Sequence, residues 1–306
     1  MDRTTIDWTG AMPAVTTPFT KDGGVDHADL ARNIRRLLDA GATGVIAAGC
    51  TGEFWALSDA ERGAIYRTTV EAVGSRGTKI VGCAAITPGA VIEALHEAAE
   101  AGCDAGLVLP PYFAHLSRAE LIAHYEAVAA KAPLPIMLYN IPGNAWNALT
   151  PDVVDILADL DPVVAIKESS GDWLNFHQTL AIARERIKVF CGPSSTIGVS
   201  AVLAGCDGLV DCFPNVWTGC IDLWSLAKAG RMDEAWAHQE TAQALTTLFT
   251  SEGRTLYPAT KAAMDYLGLP GGGSPRAPLA PITGAGLRGL QDGLDALVGT
   301  GIDTAA

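Results

Sequence analysis

A lysine and a tyrosine each stand at the end of an apolar run, where an ionisable side chain is unusual. Lys167 ends the run VVAIK, and Tyr139 lies near the end of PIMLYN. Apolar surroundings disfavour a lysine cation, so its pKa falls and its amine becomes a nucleophile toward carbonyl carbon. A phenol beside it could move the protons of that chemistry. Position alone leaves alternatives, because Lys167 could pair with Glu168 or reach solvent, and Tyr139 could simply fill the core.

A second candidate group follows the run GVIAAG, in the segment GCTGEF. The hydroxyl of Thr51 and the nearby backbone N–H groups could bind a carboxylate, and Gly52 allows the backbone to come close to it. Glu53 comes just before a helical pattern. It could act directly or serve as a negative charge at the helix N-terminus.

A third group lies in CGPSST and in the run that follows it along the chain. Gly192 and Ser194 could contact a polar substrate tail, although capping of a helix by Ser194 or Ser195 explains the serines equally well. Val210, in the run GLVDCF, completes the set of candidate substrate-binding residues.

Other kinds of chemistry lack their signatures in this sequence. The six histidines form no i,i+4 pair and do not stand with carboxylates at metal-ligand spacing. There is no G-x-S-x-G nucleophile motif, no Walker A loop and no dinucleotide-binding glycine pattern. We therefore predict no metal site.

The elements that must position these residues follow a regular alternation. Eight short runs, mostly continuously apolar, alternate with helical patterns, as is typical of parallel strands covered on both faces. We therefore predict an α/β fold, a (β/α)8 TIM barrel, in which reacting groups lie at the carboxyl ends of strands. The predicted strands are 11–19, 44–49, 79–85, 105–110, 135–140, 163–168, 187–192 and 208–213, and the helices between them are 26–40, 58–73, 89–101, 117–131, 150–159, 173–185 and 195–205.

Three joints between a predicted helix and the next strand share an Ala-Gly pair: DAGATG, EAGCDA and LAGCDG. Glycine just past a helix end takes up the left-handed conformation at little cost. The recurrence favours repeated units in one barrel over an open doubly wound sheet, which usually has a glycine-rich phosphate loop after its first strand.

The last part of the chain reads as helical. Patterns at 217–229, 232–251, 257–267 and 284–298 predict a C-terminal extension packed on the barrel, with a Gly/Pro connector at 268–281. We place the barrel in residues 1–225 and the extension, as part of the same unit, in residues 226–306.

Composition limits the kinds of partner and the location to expect for this chain. The chain of 306 residues has a formal net charge of −13, which disfavours nucleic acid and anionic membrane surfaces as partners. Its seven cysteines are odd in number and irregularly spaced, as expected for free thiols in a reducing compartment. No apolar signal region opens the sequence and no run is long enough to span a membrane, so we expect a cytoplasmic protein.

At these same residues the sequence resembles the dihydrodipicolinate synthase / N-acetylneuraminate lyase family of class I aldolases, over nearly the whole chain. Three motifs carry the resemblance, in the family order and at about the family spacing. They are G-[ST]-T-G-E, Y-N-x-P and the lysine segment KESSGD, which here are Gly49 to Glu53, Tyr139 to Pro142 and Lys167 to Asp172.

The resemblance implies a Schiff-base lyase without metal or organic cofactor. Lys167 would condense with pyruvate or another 2-oxo acid, Tyr139 would handle protons, and Thr51 with the backbone at Gly52 would hold the carboxylate. The resulting enamine would add to an aldehyde, be released by retro-aldol cleavage, or support dehydration. Members of the family are usually tetramers, which implies a homotetramer built as a dimer of dimers.

Three departures from the family pattern bear on the substrate. Cys50 stands where the synthases have threonine and Phe113 where they have tyrosine, so a proton relay from Tyr139 would be weakened. Asn144 lies near the position of an arginine that binds the carboxylate of the aldehyde substrate. We therefore expect an enzyme other than a true dihydrodipicolinate synthase, with a non-catalytic 2-oxo acid binder or sensor as the alternative.

The rings of Trp55, Trp146 and Phe113 suggest a less polar or aromatic aldehyde, if they line the region of the second substrate. The alternative is that these rings pack the mouth of the barrel or a subunit interface.

Overall fold

The structure, a computed structural model, describes residues 6–298, with Val298 described by its backbone alone. Within these residues eight parallel strands form one sheet, in which the second to eighth strands pair in the order of the chain and the eighth also pairs with the first. The strands are β1 (Gly10–Ala11), β2 (Gly44–Ala47), β3 (Thr78–Gly82), β4 (Ala105–Val108), β5 (Ile136–Asn140), β6 (Val163–Glu168), β7 (Lys188–Cys191) and β8 (Gly208–Leu209).

The sheet closes between its first and second strands. An isolated parallel bridge joins Ala14 to Ile46, and the N–H of Val15 donates to the carbonyl of Ile46 at 2.9 Å. The predicted TIM barrel is therefore confirmed. Because all eight strands are parallel, the residues that directly follow each strand lie at the same end of the barrel.

Seven of the eight strands are shorter than predicted, and the reason can be identified in β1 and β8, the two shortest. In β1 the ladder is interrupted at Pro13, which has no N–H to donate, although hydrogen bonds to both neighbours continue through Val15. After β8 the side chain of Asp211 accepts the N–H of Cys212 at 2.7 Å, and the chain turns into a 3-10 helix at Phe213–Asn215.

Helices connect the strands and cover the barrel. They are α1 (His27–Asp39), α2 (Asp59–Val73), α3 (Pro88–Ala101), α4 (Arg118–Ala129), the short α5 (Pro142–Ala145), α6 (Pro151–Leu157), α7 (Trp173–Ala183), α8 (Ser194–Ala204) and α9 (Gly219–Lys228). Local sequence explains where several begin: Ser58 and Ser117 form capping boxes with Glu61 and Glu120, two reciprocal pairs that satisfy exposed helix N–H groups.

The recurring Ala-Gly joints have the predicted backbone. Gly102 and Gly205 cap α3 and α8 with φ of +88° and +98°, and Gly41 follows α1 with φ of +99°. Because L side chains rarely adopt these angles, glycine lets the chain turn sharply from helix into strand.

The C-terminal extension consists of α10 (Met232–Thr250), α11 (Leu256–Tyr266) and α12 (Gly284–Val298). Helix α10 packs against α8 and α9, and an apolar cluster that includes Phe213, Phe249 and Met264 joins the extension to the barrel. The predicted division at residue 225 lies inside α9 and stays a prediction.

Two further sequence expectations concern the whole chain. All seven cysteines are free, and all except Cys103 are buried. Among residues 6–298, no helix combines the length and apolar character needed to cross a membrane.

Candidate active site

A cavity of about 220 Å³ opens at the carboxyl ends of the strands, beneath helices of the C-terminal extension. It contains five of the nine residues that the sequence singles out, namely Cys50, Thr51, Tyr139, Lys167 and Gly192. Its other lining residues are Ala14, Ile141, Ser169, Pro193, Ser195, Thr196, Asp211, Cys212, Phe213, Thr246, Thr250, Leu256 and Tyr257.

Lys167 and Tyr139 are brought together by the sheet itself. Their Cα atoms are directly paired between β5 and β6, so both side chains point into the barrel at the same level. Lys167 Nζ lies 3.3 Å from the Tyr139 hydroxyl and 4.3 Å from the centre of its ring. Both residues are buried. An amine and a phenol at this distance can exchange a proton directly.

The surroundings of Lys167 favour its neutral form. Burial lowers the pKa of the Lys167 ammonium below its ordinary value, while the nearby Cys50, Asp211 and Cys212 act in the opposite direction. Burial raises the pKa of the Tyr139 phenol well above its ordinary value, so this side chain keeps its proton at neutral pH. The site therefore holds an amine poised to attack and a phenol able to donate.

Glu168, the neighbour of Lys167 in sequence, is not its partner. Successive side chains of a strand point to opposite faces, and Glu168 accepts hydrogen bonds from Asn140 Nδ2 at 2.8 Å, Ser170 N at 2.9 Å and Asn175 Nδ2 at 3.2 Å. Burial raises the pKa of this carboxyl. The Glu168 carboxylate is hydrogen-bonded to residues at the end of β5 and beyond β6. These contacts stabilise the strand ends that carry Tyr139 and Lys167.

Thr51 lies in the cavity and Gly52 immediately behind it. The carbonyl of Gly52 accepts the hydroxyl of Thr17 at 2.8 Å, and a Cβ at Gly52 would come within 3.0 Å of the backbone of Ala48. Within residues 6–298 the backbone N–H groups of Thr51 and Gly52 have no acceptor in the main chain. These donors can therefore hold an anion at the turn that follows β2.

Cys50 connects two tyrosines. The side chains of Tyr139 and Tyr257 both act on its thiol and oppose the rise in its pKa that burial causes, and the side chain of Asn144 acts in turn on the pKa of Tyr257. Asn144 itself does not line the cavity. Tyr257 comes from α11, far along the chain, and sequence reasoning missed it because no local pattern links that helix to β2.

The segment after β7 is held by an acidic residue that sequence reasoning also missed. Gly192 lines the cavity, and a Cβ there would collide with Ser169 Oγ. Ser194 Oγ lies 3.3 Å from the carboxylate of Asp211, and the N–H of Ser195 donates to it at 2.7 Å. Neither serine side chain caps α8. Ser194 and the fully buried Val210 lie behind the cavity wall.

Glu53 takes neither of the roles considered from the sequence. Its carboxylate is fully buried, 2.5 Å from Lys261 Nζ of α11, and accepts the backbone N–H of Arg276 at 2.9 Å. The ion pair fastens α11, and with it Tyr257, over the mouth of the barrel.

The three rings expected near the second substrate do not line the cavity. Trp55 packs against Tyr257 with ring centres 5.5 Å apart, whereas Phe113 is 90% exposed and Trp146 is 67% exposed. Both exposed residues have positive φ, +89° and +63°. The expectation of an aromatic-lined aldehyde pocket is not supported by this placement.

Within residues 6–298 there is no group of three or more His, Cys, Asp or Glu side chains arranged to hold a metal ion.

Comparison with known proteins adds an independent line of evidence. Residues 7–297 match the model of the Dihydrodipicolinate synthetase family. A 4-hydroxy-tetrahydrodipicolinate synthase of Exiguobacterium sp. is 31% identical over 277 residues, which cover 90% of this chain and 93% of that protein.

Solved structures agree with this match. YagE, a prophage protein of the dihydrodipicolinic acid synthase family from E. coli K12 solved in complex with pyruvate, is 27% identical with a TM-score of 0.89, covering 96% of this chain and 99% of that one. A monomeric dihydrodipicolinate synthase variant is 25% identical with a TM-score of 0.86, covering 94% of this chain and 96% of that one.

Proposed function

Because the chain belongs to the dihydrodipicolinate synthetase family, we propose that it is a lyase in which Lys167 forms a Schiff base with pyruvate or another 2-oxo acid. Membership makes it an enzyme of the class I aldolase type. The observation that carries the residue assignment is the buried Lys167 Nζ, 3.3 Å from the Tyr139 hydroxyl in a cavity at the strand ends. A non-catalytic binder, the alternative weighed from the sequence, is less consistent with this family.

The first half of the reaction forms the imine. The neutral amine of Lys167 attacks the keto carbon and gives a carbinolamine. Tyr139 donates a proton to the departing hydroxyl, which leaves as water, and the C–N double bond forms. The protonated imine then withdraws electrons from C3, and the phenolate left on Tyr139 takes up a C3 proton, which gives the enamine and restores the phenol. Because this iminium is the electron sink, we propose that the reaction needs no metal or organic cofactor.

The second half makes or breaks a bond at C3. As an aldolase the enamine attacks an aldehyde carbon, the new alkoxide takes up a proton, and water releases the product from Lys167. As a dehydratase the same enamine expels a hydroxyl from C4. Aldolase and dehydratase share every residue placed so far, and the proposal covers both.

Binding of the 2-oxo acid carboxylate is assigned to the turn after β2. The N–H groups of Thr51 and Gly52 have no main-chain acceptor within residues 6–298. These two groups and the Thr51 hydroxyl would donate hydrogen bonds to a carboxylate bound beside Lys167. Hydrogen bonds to a charged acceptor are stronger than neutral ones and would fix the keto carbon within reach of the amine.

We further propose that the second substrate differs from that of the 4-hydroxy-tetrahydrodipicolinate synthases. The charged residues lining the described cavity are Lys167 and Asp211, so a second carboxylate would find no cation of its own. Asn144, near the family's arginine, is engaged with Tyr257. An amide cannot replace the paired, charged contacts of a guanidinium.

The proposal extends to the oligomeric state of the chain, its cellular location and its partners. We propose a homotetramer, supported by the exposed Phe113 and Trp146, which are apolar side chains on backbone with positive φ. We propose the cytoplasm as its location, in keeping with seven free cysteines. With a net charge of −13, neither nucleic acid nor an anionic membrane is a proposed partner.

Borohydride reduction in the presence of pyruvate tests the central assignment. We expect a stable adduct at Lys167, located by peptide mass spectrometry, and no adduct in Lys167→Ala. The exposed Lys131 provides a matched control, and Lys131→Ala should trap pyruvate as the parent does. Absence of an adduct in the parent enzyme, or its persistence in Lys167→Ala, would overturn the proposal.

A further inference from the structure

One wall of the cavity carries a carboxylate that the imine chemistry does not use. Asp211 follows β8, is only partly buried, and lines the cavity together with the hydroxyls of Ser169, Ser195 and Thr196. These four side chains come from the strand ends β6, β7 and β8. They stand apart in sequence from Cys50 and Thr51, which follow β2.

The protein holds this carboxylate in a fixed orientation. Oδ1 accepts the N–H of Cys212 at 2.7 Å, and Oδ2 accepts the N–H of Ser195 at 2.7 Å and faces Ser194 Oγ at 3.3 Å. Burial raises the pKa of Asp211, and these hydrogen bonds and the charge of Lys167 favour its anion. Since a carboxylate can accept about four hydrogen bonds, room remains for a ligand donor.

A second, independent observation points to a ligand at this wall. Ser169 Oγ is buried and has no hydrogen-bond partner within residues 6–298, yet its residue lines the cavity. A buried hydroxyl without a partner is unfavourable unless a ligand or water supplies one. Ser169 can donate to or accept from a hydroxyl, whereas Asp211 can only accept.

Charge then limits what this wall can bind. In the bound imine, the positive iminium at Lys167 is balanced by the carboxylate of the 2-oxo acid. Asp211 remains as an uncompensated anion among the described lining residues. A substrate tail with its own carboxylate would meet this charge in a largely buried site, where like charges repel strongly.

We propose that Asp211 determines specificity, by accepting a hydrogen bond from a hydroxyl on the tail of the substrate and excluding tails that carry a carboxylate. The inference rests on the proposed function and narrows it to uncharged, hydroxylated aldehydes and the 2-oxo acids formed from them.

A purely structural role would account for part of this geometry, because Ser195 N belongs to the first turn of α8 and Asp211 therefore caps that helix. Asp172 offers a matched control: its carboxylate caps α7 by accepting the N–H groups of Leu174 and Asn175, and it does not line the cavity. Asp172→Asn keeps the one oxygen that caps α7, and Asp211→Asn keeps one of its two acceptor oxygens, so both variants are expected to fold.

The experiment measures binding at Lys167 without requiring turnover. Borohydride trapping is followed against concentration for pyruvate and for three longer 2-oxo acids. They carry an uncharged apolar tail (2-oxopentanoate), a carboxylate tail (2-oxoglutarate) and a hydroxylated tail (2-keto-3-deoxygluconate). Each apparent Kd is divided by that for pyruvate in the same variant, which removes effects on imine formation itself.

In the parent enzyme we expect the hydroxylated tail to bind best and the carboxylate tail worst. Asp211→Asn should weaken binding of the 2-oxo acid with the hydroxylated tail and strengthen binding of the one with the carboxylate tail. Each relative Kd should change by about tenfold, as expected for one hydrogen bond or one repulsion that involves a charged group. Asp172→Asn should leave the ratios unchanged.

Unchanged ratios in Asp211→Asn, equal changes in both variants, or loss of the pyruvate adduct in Asp211→Asn would overturn the inference. If the parent enzyme traps no pyruvate, the proposed function itself fails, which is a distinct result.

Discussion

At the scale of single residues, the site depends on a lysine that the barrel keeps away from water. Lys167 and Tyr139 face each other across two strands because their Cα atoms are in register, and Glu168 is turned to the other face by the strand's alternation. Burial therefore lowers the pKa of the amine, and the opposing effect of the nearby Asp211 carboxylate is smaller. This is the physical basis for a lysine whose amine becomes neutral, and therefore nucleophilic, at a lower pH than that of an ordinary lysine.

The lowered pKa of Lys167 predicts the pH dependence of trapping. Only the neutral amine attacks, so the rate of pyruvate adduct formation should fall as the pH drops through the pKa of Lys167, below the range of an ordinary lysine. Asp211 raises that pKa, so Asp211→Asn should move the midpoint to lower pH. Stopped reactions with cyanoborohydride across pH 5–10 measure both curves; a midpoint near 10.5, or a shift to higher pH in the variant, contradicts the prediction.

At the scale of elements, strand order and helix starts could be predicted because they depend on local sequence. Apolar runs mark the strands, and Ser58 and Ser117 with their glutamates mark helix starts. Tyr257 could not be found this way, because its place in the cavity depends on how α11 packs on the barrel. Asp211 could have been found, since an acid after an apolar run carries the same signal as Lys167.

The buried ion pair between Glu53 and Lys261 joins two parts of the structure far apart in the chain, the segment that follows β2 and helix α11. Lys261→Met should destabilise the fold by about 3–5 kcal/mol, because it leaves a buried carboxylate without its countercharge. The double variant Glu53→Gln with Lys261→Met should lose clearly less of the free energy of unfolding than the single variant. Urea denaturation followed by circular dichroism measures both, and a single variant as stable as the parent would show that the pair does not hold α11.

At the scale of the whole molecule, the exposed aromatic residues Phe113 and Trp146 are the side chains that we assign to a contact between copies in the proposed tetramer. Phe113 and Trp146 are both exposed, and His115, two residues after Phe113, has its ring centre 4.5 Å from that of Trp146. Apolar side chains on positive-φ backbone are costly at a free surface, and an interface would compensate that cost.

The proposed tetramer makes this surface testable. Phe113→Asp should reduce the assembly to smaller species, measured by sedimentation velocity, while Lys167 still traps pyruvate. Leu174, 62% exposed on α7, provides the control, and Leu174→Asp should leave the assembly unchanged. The proposed assembly would be contradicted by a parent enzyme that sediments as a monomer, the state of the monomeric dihydrodipicolinate synthase variant whose fold it shares.

The thiols around Lys167 have a consequence for chemoselectivity. Cys50 and Cys212 both lie in the cavity, and a thiolate there would capture an incoming aldehyde as a hemithioacetal. Burial raises the pKa of both thiols, so they remain protonated and weakly nucleophilic at neutral pH. Burial therefore makes the amine of Lys167 more nucleophilic and keeps the two thiols in their less reactive, protonated form. An incoming carbonyl compound then reacts with Lys167 rather than with the cysteines.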